Sequence, residues 1–161
     1  MSASNWASAR GLVLGSLLLV GCAGAAWKDV KVEPGYKPPK SLNIVISDEG
    51  KAEGHEEALE TLKSTLAEEL EDNDIKATFS NGGDTGADVT VVEWDPGNRA
   101  LRFFVGFGAG KGTILVKVQS PGISGSAEGW VQSGAWGGNA ADAAEEAAVL
   151  IAEAIATGEV D

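Results

Sequence analysis

The chain has 161 residues, with 24 acidic against 12 basic side chains, one histidine, one cysteine and a formal net charge of −12. A surface that negative repels a phosphate backbone, and no basic stripe offsets it, which argues against nucleic acid as a partner. A single cysteine cannot close a disulfide within the chain. One histidine without a second thiol does not complete the usual transition-metal ligand sets, so neither a disulfide framework nor such a metal centre is expected.

The first element is a leader. Arg10 is the only charge before an apolar run from Gly11 to Val20, and Leu19-Val20-Gly21-Cys22 follows at its end. The run is about half the roughly twenty residues that a membrane-spanning helix needs. A charged start, a short apolar middle and a small residue at the cut are the marks of an export signal. The tetrapeptide resembles the lipobox of bacterial lipoproteins, in which Leu19, Val20 and Gly21 are read by the signal peptidase and Cys22 receives the lipid. The resemblance implies a diacylglyceryl thioether and an amide-linked acyl chain on Cys22. Ala23-Gly24, with no aspartate after the cysteine, implies the outer membrane rather than the inner. Residues 1–21 are therefore expected to be a signal peptide. Cleavage removes Arg10 and leaves the mature chain one charge more negative.

Residues 22–40 lack periodicity and contain Pro34-Gly35 and Pro38-Pro39, a composition that reads as a flexible tether. A single α/β domain is expected over 41–157, with 158–161 as a tail. Leu42 to Ile46 is a short apolar run with the length of a buried strand. From His55 to Glu71, leucines at 59, 62, 66 and 70 fall on one helical face, and Glu56 and Glu57 suit the helix start. Asp72-Asn73-Asp74 begins like a calcium loop but lacks its glycine and distal glutamate, and reads as the turn ending that helix. Ile75, Ala77 and Phe79 alternate as a strand. Strands are also expected at Asp88 to Trp94, Leu101 to Gly106, Thr113 to Gln119 and Ser126 to Gln132, separated by Asp95-Pro96-Gly97-Asn98 and Pro121-Gly122 turns. Asn139 is positioned to cap a helix over Ala140 to Ala156, which Gly158 stops. The order predicts a two-layer α/β sandwich: a mixed, mostly antiparallel sheet of five to six strands with two helices on one face.

Three local patterns invite a chemical reading. Asp84-Thr85-Gly86-Ala87 matches the active-site tetrapeptide of retroviral-type aspartic proteases, but those enzymes are nearly all-β, need two such aspartates and place them after an apolar strand, where this chain has Ser80-Asn81-Gly82-Gly83. Gly106 to Thr113 carries alternating glycines and Lys111, yet it fits neither the phosphate-loop nor the dinucleotide spacing. Gly106, Gly108, Gly110 and Gly112 would share one face of an extended chain and allow close backbone approach, with Ala148 and Ala152 of the last helix as the expected partners. The rival reading is a binding hairpin formed by Gly106, Gly108 and Gly110. Trp94, Trp130 and Trp136 lie in or beside strands, where burial at the sheet edge or core is the default; a stacking platform for a carbohydrate or peptide is the rival reading, with Trp130 and Trp136 its candidate residues. His55 reads as a solvated surface residue.

The path from Ala87-Asp88 through Trp94, Gly97, Arg99, Arg102 and the Gly106-Phe107-Gly108-Ala109-Gly110 run, then a strand, a glycine-rich turn and a terminal alanine-rich helix, resembles the bacterial lipoprotein family called domain of unknown function 4410, over roughly Ser41 to Thr157. The resemblance implies an envelope lipoprotein and supplies no mechanism. The function expected from the whole chain is a non-enzymatic binding or assembly module without a cofactor, held by its lipid on the periplasmic side of the outer membrane and meeting another envelope protein. A small-ligand or glycan binder is the alternative, and a hydrolase at Asp84 the remote one.

Overall fold

The computed structural model describes residues 22–49, 55–81, 86–97, 111–132 and 141–160. Six strands form one mixed sheet: β1 (Cys22–Val32), β2 (Ser41–Asp48), β3 (Lys76–Phe79), β4 (Ala87–Asp95), β5 (Gly112–Ser120) and β6 (Ile123–Gln132), in the spatial order β1-β6-β5-β4-β2-β3. The β1, β6, β5 and β4 pairings are antiparallel, whereas β2 runs parallel to both β3 and β4. Two helices, α1 (His55–Asp72) and α2 (Ala141–Thr157), pack on each other and on one sheet face. The expected two-layer α/β architecture is the one observed.

Helix α1 forms where the leucine period places it. Ala58, Leu62, Leu66 and Leu70 are buried and Leu59 is half-buried. Its end is the expected turn: Ile75 N–H donates to the Leu70 carbonyl at 2.8 Å, and Asp74 takes the left-handed conformation at φ 60° that ends many helices. The alanine-rich α2 buries Ala143, Ala144, Ala147, Ala148, Ile151, Ala152 and Ile155, and Gly158 stops it at φ 72° with its N–H on the Ala154 carbonyl. Strand residues facing the helices, including Ile44, Val89, Val91, Ile114, Val116 and Val118, complete one continuous core.

Residues 22–40 differ from the expected flexible tether. Positions 22–32 are β1, an edge strand paired with β6 from Cys22 opposite Gln132 to Val32 opposite Ile123. The following stretch is also tied down. Glu33 N–H donates to the Gly122 carbonyl at 2.8 Å, Tyr36 N–H to Glu33 at 3.0 Å, and Lys76 N–H to Lys40 at 3.0 Å. The ring of Tyr36 packs against Gly122 and Gly158, where an added Cβ would fall 2.7 and 2.6 Å from ring carbons. The folded domain therefore takes in Cys22 to Lys40 and does not begin near Ser41. Its far end also extends into the expected tail, because Val160 packs against the core.

The Tyr36 hydroxyl donates to the Ile155 carbonyl at 2.6 Å, pinning this segment to the end of α2. Burial raises its pKa above the usual 10.0. The folded chain thus holds the phenolic proton more tightly than the unfolded chain does. The corresponding stability is intact below pH 10.0 and is lost as pH rises through the folded value. Tyr36→Phe is expected to cost about 1 kcal/mol at neutral pH and to flatten the alkaline fall in stability. Urea melts from neutral to alkaline pH check both.

Candidate functional site

The register separates two sheet faces. Ala23, Ala25 and Trp27 of β1 pair with Val131, Gly129 and Ala127, residues on the helix side. A bulge between Trp27 and Asp29 then shifts the phase, so that Val30 and Val32 continue that side. The opposite face carries no helix. It presents Asp29 and Lys31 from β1, Ser124, Ser126, Glu128 and Trp130 from β6, Lys117 and Gln119 from β5, and Asp88 and Thr90 from β4. Lys28 and Glu128 form an ion pair beside it.

A groove of about 430 Å³ lies across this open face, lined by residues that include Asp29, Lys31, Asp88, Thr90, Lys117 and Ser126. Gly125 also lines it, and an added Cβ there would overlap the Asp29 carbonyl oxygen and stand 2.9 Å from the Val30 Cα. Two lysines, two aspartates and hydroxyl groups give this surface both donors and acceptors, the chemistry that holds a polar, hydroxyl-rich ligand or the polar face of another protein. None of these residues stood out in the sequence as a site, because an open sheet face reads as ordinary solvent-facing alternation.

The second feature is the sheet corner where β1 begins. Cys22 lies opposite Gln132, Ala23 opposite Val131 and Gly24 opposite Trp130, and Trp130 also faces Thr113 of β5. The half-buried Trp130 indole covers Gly24: a Cβ at Gly24 would stand 3.0 Å from its Cζ2. The Lys111 ammonium lies 4.9 Å from the indole centroid, a cation–π contact. Among the sequence-derived candidates the structure thus brings Trp130 close to Cys22. Leu19, Val20, Gly21, Asp84, Gly106, Gly108, Gly110 and Trp136 lie outside the described residues.

Other expectations resolve differently. Trp94 joins the core, 8% exposed. Its indole N–H and that of Trp27 are buried without a hydrogen-bond partner among the described residues. His55 is half-buried, its Nε2 3.1 Å from the Asp48 carboxylate, rather than solvated: the start of α1 abuts the end of β2. A tight strand–helix approach occurs at Gly129 of β6 against Ala143 and Ala147 of α2; of the glycine row, Gly112 alone lies among the described residues, buried in β5. Among the described residues, no three His, Cys, Asp or Glu side chains gather to hold a metal. No described helix is long and apolar enough to cross a membrane.

The model of the family described as domain of unknown function (DUF4410) matches residues 29–155. The chain belongs to that family. No curated protein matches it. Among solved structures, it is similar to the PelC dodecamer from Paraburkholderia phytofirmans. A leucine-to-methionine variant of that dodecamer gives 11% identity and a TM-score of 0.49, covering 81% of this chain and 96% of that one. A second crystal form of PelC gives 9% identity and a TM-score of 0.47, with coverages of 83% and 97%.

Proposed function

We propose that this family member is a lipid-anchored envelope protein, a non-enzymatic binding or assembly module held at the periplasmic side of the outer membrane. One observation carries the reading: the lipobox cysteine is already paired in the edge strand, opposite Gln132. Cleavage before Cys22 would release a chain that is sheet from its first residue, with no stretch of linker between the lipid and the domain. The polar groove on the open face is the surface offered to a partner. Membrane separation on a density gradient tests the placement. The protein is expected with the outer-membrane fraction and to resist salt extraction, because acyl chains are held by burial rather than by charge. Recovery in the soluble periplasmic fraction would contradict it.

A further inference from the structure

We propose that the sheet corner carrying Gly24, Trp130 and Lys111 is a phospholipid-contacting surface, seated in the headgroup layer beside the anchor. The inference rests on the reading of Cys22 as the acylated residue. Strand residues advance about 3.4 Å each and neighbouring strands lie about 5 Å apart. Gly24 is thus about 7 Å from Cys22, and Trp130 sits beside Gly24 on the next strand. The polar layer on each side of a bilayer is about 5–8 Å deep. With Cys22 already paired in the sheet, no spacer separates an acyl chain in the hydrocarbon from the folded domain, so the Trp130 ring is held within reach of that layer.

The residues suit the position. Trp130 is the only aromatic that the described register of β1, β4, β5 and β6 puts on the open face, every other open-face position there being polar, small or aliphatic. Tryptophan concentrates at membrane interfaces, where its apolar ring and its N–H meet different environments. Lys111, on that ring, supplies an ammonium for phosphate oxygens while its stem covers apolar surface. The groove lies elsewhere on the strand: Asp29 is seven residues beyond Cys22, about 24 Å along β1. A domain seated on its Trp130 corner therefore holds the groove clear of the lipid.

The test uses the acylated protein extracted from membranes, its acylation confirmed by mass. It is reconstituted into phosphatidylethanolamine–phosphatidylglycerol vesicles with and without bromine on the acyl chains near the carbonyl end. Tryptophan emission is expected to fall with the brominated lipid. Trp130→Phe should remove the greater part of that fall, and Trp27→Phe, on the helix face, should retain it. Inserting a glycine–serine spacer between Cys22 and Ala23 should also abolish it while leaving the acyl chains in place. An acylated protein whose emission is not quenched, or is quenched equally in Trp130→Phe, overturns this inference and leaves the anchor standing; that is also the outcome if a second copy of the chain covers Trp130. A protein without acyl chains overturns both.

Discussion

Gly129→Ala should lower the stability of the domain by about 3 kcal/mol or more, the upper range for forcing an extra group into a packed site. Gly129 lies in β6 directly beneath α2, and a Cβ there would overlap the Ala143 carbonyl oxygen, standing also 3.0 Å from its carbonyl carbon and 3.1 Å from the Ala147 Cβ. The obstacle is helix backbone, which cannot swing aside as a flexible side chain can. Relief requires α2 to lift, and lifting it opens the packing of Ala143, Ala144, Ala147 and Ile151, all with no exposed surface. For a domain of this size such a loss lowers the melting temperature by roughly 10–20 °C. Gly35→Ala is the control. It carries a left-handed φ of 80° but has nothing within 4 Å of an added Cβ, so it should cost only about 1–2 kcal/mol. Thermal melts followed by circular dichroism compare the two. Equal melting of Gly129→Ala and wild type would mean that α2 does not rest on β6 as described.

Cys22→Ser should produce the largest change in the life of the protein. A serine hydroxyl cannot form the thioether that precedes cleavage in lipoprotein maturation, so the variant is expected to keep residues 1–21 and to take up no labelled palmitate. Each buried methylene contributes about 0.8 kcal/mol to membrane attachment, and one chain alone holds only marginally. Losing the diacylglyceryl group and the amide-linked chain together therefore converts stable attachment into none beyond what the uncut leader supplies. Palmitate labelling and gel mobility of the two proteins read this directly. Equal labelling of Cys22→Ser and wild type would move the lipid to another residue or remove the anchor from the account.

The elements with an unbroken period were legible in the sequence. Leu62, Leu66 and Leu70 mark the inner face of α1, and Ile114, Val116 and Val118 that of β5. Strand β1 was not legible, for a physical reason. Its inward residues fall at odd positions, Ala23, Ala25 and Trp27, and then at even ones, Val30 and Val32, because the bulge between Trp27 and Asp29 inserts a residue. No single period-two pattern fits across such a break, and the prolines that follow reinforce the impression of a loose linker. Their pinning depends on Tyr36 meeting Gly122 and Gly158, a contact between residues 86 and 122 positions apart that local patterning cannot announce. A similar bulge between Val91 and Glu93 does not hide β4, because three buried positions precede it and Trp94 regains the core after it.

The two candidate sites divide along the same line. Cys22 is marked by the apolar run before it and needs no fold to be noticed. The place of Trp130 depends on register alone: the pairing of Gly24 with Trp130 brings the ring beside the start of β1, close to Cys22. The groove depends on the strand order, since Asp29, Lys117 and Asp88 come from β1, β5 and β4. Residues so far apart in the chain meet only once the sheet has formed.

The mass of the N-terminal peptide of the protein purified from membranes is the most direct measurement. The peptide is expected to begin at Cys22 and to carry a diacylglyceryl group and an additional acyl chain. A peptide that begins at Met1, or a Cys22 bearing a free thiol, would contradict the lipid anchor.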